Sequence, residues 1–148
     1  MKGRAMREFL MDLDAGMEEF FRDIARFMTD EFGIPYAEAV ARLNAAFERS
    51  RFDPYPDIMC HESPRYWGFG LYFRRLPDGR EVPWWEPDAD RSGWEIKDPP
   101  PPGTHHWTLP IDAEPPPPVP GLLRPGGPEP GLYRPVPEDA PYSEDWRS

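Results

Sequence analysis

The sequence predicts an α+β fold, in which an N-terminal αα-hairpin packs on a small tryptophan-rich antiparallel β-meander and a proline-rich, mostly extended tail follows. Apolar residues recur at helical spacing up to residue 47, and aromatic residues alternate along the chain between residues 66 and 73. Of the 23 prolines, 16 lie after residue 98. We therefore assign residues 1–98 to a small domain and residues 99–148 to a tail or linker.

Two helices account for the N-terminal pattern. The apolar residues of Ala5–Phe32 fall on one side of a helical projection, which predicts an amphipathic helix of about 27 residues. Gly33 is typical of a C-terminal cap, and the following proline cannot continue the same helix. A second amphipathic stripe then predicts a helix over Pro35–Arg49.

The two predicted helices differ in length. At 1.5 Å per residue the first spans about 40 Å and the second about 22 Å, so half of the first apolar stripe has no helical partner. The four uncovered residues are Met6, Phe9, Leu10 and Leu13. We expect later residues of the same chain to cover them, and a homodimer through this stripe is the alternative.

The β-meander is predicted from residues 66–97. Leu76-Pro77-Asp78-Gly79 is typical of a tight turn, which gives one hairpin between residues 66–73 and 80–86. Residues 93–97 would add a third strand.

A helix competes with the first of these strands. Ser63 is a good N-cap, and Pro64 suits the first turn of a helix. Gly68 and Gly70 would each cost that helix about 1 kcal/mol, so we predict a short helical turn over Ser63–Tyr66 and a strand thereafter.

Charge and cysteine content narrow the class of protein. The net charge of −10 argues against nucleic acid and anionic membranes, and it favours a basic or neutral protein partner. A single cysteine cannot form an internal disulfide. Charged residues interrupt the N-terminal apolar pattern, so we expect neither a signal peptide nor a membrane span. We therefore expect a cytoplasmic protein.

Cys60, His61 and Glu62 form the densest group of reactive side chains. A thiol, an imidazole and a carboxylate could serve nucleophilic catalysis, but neighbouring side chains diverge in regular structure. We therefore expect Cys60 to be a small buried residue, and His61 or Glu62 to support the helix start at Ser63.

A pair of histidines interrupts the proline-rich region. His105 and His106 could complete a metal site with His61, but two adjacent imidazoles without fixed geometry make a weak site. The sequence thus predicts no metal ion and no cofactor. We expect His105, Trp107 and Leu109 to add an edge strand or to lie across the core.

Tryptophan and tyrosine residues are concentrated between residues 55 and 94. Core packing explains most of them, whereas Trp85 and Tyr72 are our candidates for an exposed, protein-binding face. Flat aromatic grooves accept polyproline II segments, and the chain's own tail is one such segment.

The tail contains a duplicated motif. Residues 120–125 read PGLLRP and residues 130–135 read PGLYRP. Repeats in proline-rich chains also arise by replication slippage. As a binding motif, each copy would offer two apolar anchors and an arginine. These candidate binding residues are Leu122, Leu123, Arg124, Leu132, Tyr133 and Arg134.

These observations predict a non-enzymatic, adaptor-like protein that binds a partner through its acidic domain and its proline-rich tail. One alternative is an inhibitor of the immunity or antitoxin type that neutralises a basic toxin or enzyme. The other is a small enzyme that uses Cys60, His61 and Glu62.

Overall fold

The computed structural model describes residues 7–118, and this part of the chain contains three α-helices and no β-strand. Helix α1 spans Ala15–Phe32, α2 spans Tyr36–Phe47 and α3 spans Pro64–Tyr72, with a 3₁₀ turn at Ile58–His61. Both α2 and α3 pack on α1. The predicted α+β class is therefore wrong for the described residues. Within them, no helix has the length and apolarity needed to cross a membrane.

The first helix begins ten residues later than predicted. The Asp14 carboxylate accepts a hydrogen bond from the Met17 backbone N–H at 2.9 Å, which caps the helix there. Residues 7–13, directly upstream of this cap, are not helical, although Phe9 and Met11 are buried. Their apolar spacing therefore reflects core contacts made by an irregular segment.

The apolar stripe that lacked a helical partner packs on the same chain. Phe9 belongs to the core cluster, and Leu10 and Leu13 pack against that cluster. Met6 lies outside the described residues.

The turn between α1 and α2 forms as the sequence predicts. Gly33 has a φ of 71°, and its N–H donates to the Thr29 carbonyl at 3.0 Å. Only glycine adopts this left-handed conformation without cost, so Gly33 ends α1. Helix α2 follows directly after Pro35.

The prediction of a strand after Tyr66 is wrong, because the competing helix forms instead. The Ser63 hydroxyl accepts from the Tyr66 N–H at 3.1 Å, and Pro64 occupies the first turn of α3. A Cβ atom at Gly68 would lie only 2.5 Å from Cδ2 of Phe27 on α1. Gly68 thus lets α1 and α3 approach closely, and this packing outweighs its low helix propensity.

The rest of the predicted meander is also absent. Among the described residues, antiparallel pairing is limited to one bridge between Phe73 and Ile96. The turn at residues 76–79 does form, since the Gly79 N–H donates to the Leu76 carbonyl at 2.8 Å. Beyond it, the Trp84 N–H donates to the Val82 carbonyl at 2.7 Å, so local turns use donors that a strand ladder would need.

Residues 99–118 lie against the helices. The Thr108 hydroxyl donates to the Glu8 carbonyl at 2.6 Å, and Arg26 of α1 donates to the Pro116 carbonyl at 2.8 Å. Arg26 also contacts the buried carboxylates of Glu19 at 2.8 Å and Asp23 at 2.7 Å. The polar side of α1 is thus partly covered by this segment.

Replacement of the two α3 glycines tests the close helix crossing. We expect Gly68→Ala to lower the free energy of unfolding by about 1–3 kcal/mol, because the new methyl group would overlap the Phe27 ring. Gly70→Ala is the matched control. Its Cβ would meet nothing within 4 Å, so it should gain up to about 1 kcal/mol of helix propensity. Urea unfolding followed by circular dichroism measures both, and equal effects would contradict the proposed crossing.

Candidate functional site

A small groove opens between α3 and the loop that follows it, with a cavity volume of about 200 Å³. Its walls include Phe47, Tyr66, Leu71 and Trp84, and we call it the aromatic groove. The Tyr66 and Trp84 rings meet edge to face at 6.1 Å between centroids. Pockets that enclose small molecules usually exceed about 300 Å³, so this one suits individual side chains of a bound segment better than a cofactor.

The rim of the aromatic groove is cationic. Arg74, Arg75 and Lys97 line it, and Glu81 is the acidic residue among the lining side chains. Burial lowers the pKa of Lys97, and the positive charges of Arg74 and Arg75 lower it further. The groove is therefore a locally positive place on a chain whose net charge is −10.

One hydrogen-bond donor of the groove has no acceptor in the part of the chain that the structure describes. The Trp67 indole N–H donates to the Met59 carbonyl at 2.9 Å. Within residues 7–118, the Trp84 indole N–H makes no such bond. Trp84 can therefore donate to a carbonyl of a bound segment.

The structure separates the two aromatic residues that the sequence suggested for binding. Trp85 is 57% exposed and stands edge to face with Trp84 at 5.6 Å. Tyr72 is only 8% exposed, and its ring stacks on Phe32 at 4.0 Å. Tyr72 thus packs the interior instead of lining a surface. The six residues of the duplicated tail motif, at positions 122–124 and 132–134, lie outside the described part of the chain.

The structure places Cys60 in the core, His61 on the surface and Glu62 at an intermediate position. The Cys60 thiol is buried and donates to the Met17 sulfur at 3.6 Å, whereas His61 is exposed. Burial raises the pKa of Cys60 to about 12, and the nearby charge of Asp57 contributes. A thiol in this environment stays protonated at neutral pH, so it is a poor nucleophile.

A second group of candidate side chains was expected only in part from the sequence. Nε2 of His105 lies 2.8 Å from Oε2 of Glu48, and Nε2 of His106 lies 2.7 Å from Oε1. We call these three residues the Glu–His cluster. Hydrogen bonds from the two histidines lower the pKa of the Glu48 carboxyl. Sequence reasoning paired the histidines with His61 and missed Glu48, because nothing local connects residues 57 positions apart.

A turn makes the cluster possible. The Trp107 N–H donates to the Thr104 carbonyl at 3.1 Å, which closes a tight turn around His105 and His106. Their rings lie 4.1 Å apart between centroids. Adjacent side chains diverge in helices and strands, but this turn directs both imidazoles to the same carboxylate.

Asn44 fixes this turn on α2. Its side-chain nitrogen donates to the carbonyls of His106 at 3.0 Å and Glu8 at 3.2 Å, and its oxygen accepts from the Leu10 N–H at 2.9 Å. Asn44 is fully buried and lies one helical turn before Glu48. One face of α2 therefore contacts His106 twice, with Asn44 bound to its backbone and Glu48 bound to its ring.

No protein-family model, curated protein or solved structure matches the chain.

Thiol accessibility tests the placement of Cys60. At pH 8 a thiol with a pKa of about 12 is ionised to about one part in ten thousand, against about a quarter for an ordinary thiol. We expect 5,5′-dithiobis(2-nitrobenzoic acid) to label the native protein at least about 100-fold more slowly than the chain unfolded in guanidinium. Since Cys60 is the only cysteine, the absorbance change reports this residue alone. Native and unfolded rates within tenfold would contradict a buried thiol.

Replacement of Asn44 tests its structural role. We expect Asn44→Ala to cost about 2–4 kcal/mol of unfolding free energy, because it leaves buried backbone groups without partners. Asn44→Asp keeps an acceptor for Leu10 but loses both donated bonds and buries a charge, so it should destabilise as well. Urea denaturation measures both variants, and losses below about 0.5 kcal/mol would show that Asn44 does not hold these segments.

Proposed function

We propose that the protein is a non-enzymatic, adaptor-like interaction protein, and that its aromatic groove binds an extended, acidic, proline-containing segment of a partner protein. The observation that carries this proposal is a cationic rim beside aromatic walls on a chain of net charge −10. The geometry around Cys60 gives no support to the enzyme alternative.

The walls of the groove favour proline. A polyproline II segment leaves its backbone carbonyls unpaired and presents flat rings, which pack on aromatic faces. Tyr66 and Trp84 offer such faces, and the Trp84 indole offers a donor for one carbonyl. A cavity of about 200 Å³ accommodates one or two such side chains.

The rim sets the charge of the bound segment. Arg74, Arg75 and Lys97 attract carboxylates at contact distance. The net charge of the chain, in contrast, acts over the longer distances of the encounter, where it favours a partner with a basic or neutral surface. We therefore expect a partner whose surface is basic or neutral as a whole and whose acidic residues are concentrated in the bound segment. In this proposal the duplicated tail motif supplies a second contact that raises the effective concentration.

The chain itself contains a suitable probe sequence. Residues 135–146 read PVPEDAPYSEDW, with four carboxylates, three prolines and no basic residue. A labelled peptide of this sequence tests the groove directly. The protein should carry Glu138→Gln, Asp139→Asn, Glu144→Gln and Asp145→Asn, so that its own tail does not compete at high effective concentration.

Fluorescence anisotropy of the labelled peptide should then report saturable binding to this full-length protein. We expect Trp84→Ala and Arg75→Gln each to weaken binding about tenfold, because the first removes an aromatic wall and the second a positive charge of the rim. Salt at 0.5 M should also weaken binding, because it screens the charges of the rim.

Arg80→Gln is the matched control for Arg75→Gln. Arg80 lies on the same turn, but it is 76% exposed and pairs with Asp78 at 2.7 Å outside the groove. Its replacement should leave the affinity unchanged. Equal losses of affinity for Arg75→Gln and Arg80→Gln would show that the effect comes from net charge alone. No binding at millimolar protein would refute the groove as a peptide site.

A further inference from the structure

The Glu–His cluster has the composition of a transition-metal site. One oxygen of Glu48 and one nitrogen from each of His105 and His106 lie within 4.8 Å of one another. Imidazole nitrogens with a carboxylate are preferred ligands of Zn²⁺ and related ions, whereas Ca²⁺ and Mg²⁺ prefer oxygen ligands alone.

The Thr104 hydroxyl helps to orient the ring of His106. It donates to the Pro101 carbonyl at 2.9 Å, and it lies 3.3 Å from Nδ1 of His106. The other ring nitrogen, Nε2, faces Glu48 at 2.7 Å.

The surroundings of His106 resemble those of metal-ligating histidines. Such residues donate their second ring N–H to a neighbouring oxygen, which fixes the ring orientation. Here the Thr104 hydroxyl lies 3.3 Å from Nδ1 of His106, and Asn44 donates to the His106 carbonyl at 3.0 Å. The ligand is thus oriented by two groups outside the cluster.

The position at the end of α2 favours a cation. Glu48 is the C-cap residue of α2, where unpaired backbone carbonyls place the negative end of the helix dipole. His105 is 64% exposed, so an ion can enter from solvent.

We propose that Glu48, His105 and His106 bind a divalent transition-metal ion of the Zn²⁺ class. Tetrahedral ligation at about 2.0–2.1 Å needs ligand atoms about 3.3 Å apart, and one ligand atom from each of the three residues already lies within 4.8 Å of the others. Three protein ligands leave a fourth position for water. The ion would join α2 to residues 99–118 and so stabilise the packing of that segment. This proposal does not depend on the proposed peptide binding.

Isothermal titration calorimetry with ZnCl₂ tests the site, using the full chain without a histidine tag after treatment with EDTA. We expect one ion per chain and a higher melting temperature in the presence of Zn²⁺. Co²⁺ should give the visible absorption bands of a four-coordinate site. His105→Ala and His106→Ala should each lower the affinity at least tenfold.

His61→Ala is the matched control, because His61 is an exposed histidine outside the cluster and should leave the affinity unchanged. His105→Ala alters a largely exposed side chain, so its effect is not a consequence of unfolding. Circular dichroism confirms that each variant keeps its helices. Absence of saturable Zn²⁺ binding, or undiminished affinity in both His105→Ala and His106→Ala, would overturn the proposal.

Discussion

The buried side chain of Asn44 is the constraint on which the arrangement of the described residues depends. It satisfies backbone groups of two segments that have no regular secondary structure, residues 8–10 and His106. Because such segments cannot pair their own backbones, an amide that both donates and accepts replaces a strand partner. Thr108 joins the same two segments by donating to the Glu8 carbonyl. The first and last described parts of the chain are therefore connected through one residue of α2.

The end of α2 brings the two candidate sites close together in sequence. Phe47 contributes to the wall of the aromatic groove, and Glu48 is the carboxylate of the Glu–His cluster. Each site is completed by a different later segment, the groove by α3 with the loop after it and the cluster by the turn at residues 104–107. The two candidate sites therefore share the C-terminal end of α2.

Local signals in the sequence predicted local structure, but contacts between distant residues decided the fold. The cap at Gly33 and the turn at residues 76–79 were predicted correctly, since each depends on a few neighbouring residues. The strand after Tyr66 was wrong, because the penalty for Gly68 in a helix is smaller than the gain from close contact with Phe27. The sequence also could not pair Glu48 with the histidines, because these residues are far apart along the chain and only the fold brings them together.

Net charge is a poor guide to the surfaces of this protein, because some of its charged side chains pair in the interior. Glu19 and Asp23 are buried and both contact Arg26 on α1, which also donates to the Pro116 carbonyl. Arg74, Arg75 and Lys97, in contrast, line an open groove. A count of charges treats these groups as equivalent, whereas a ligand meets only the accessible ones. An acidic chain can therefore present a cationic site, and the sign of that site follows from which ion pairs the fold makes internal.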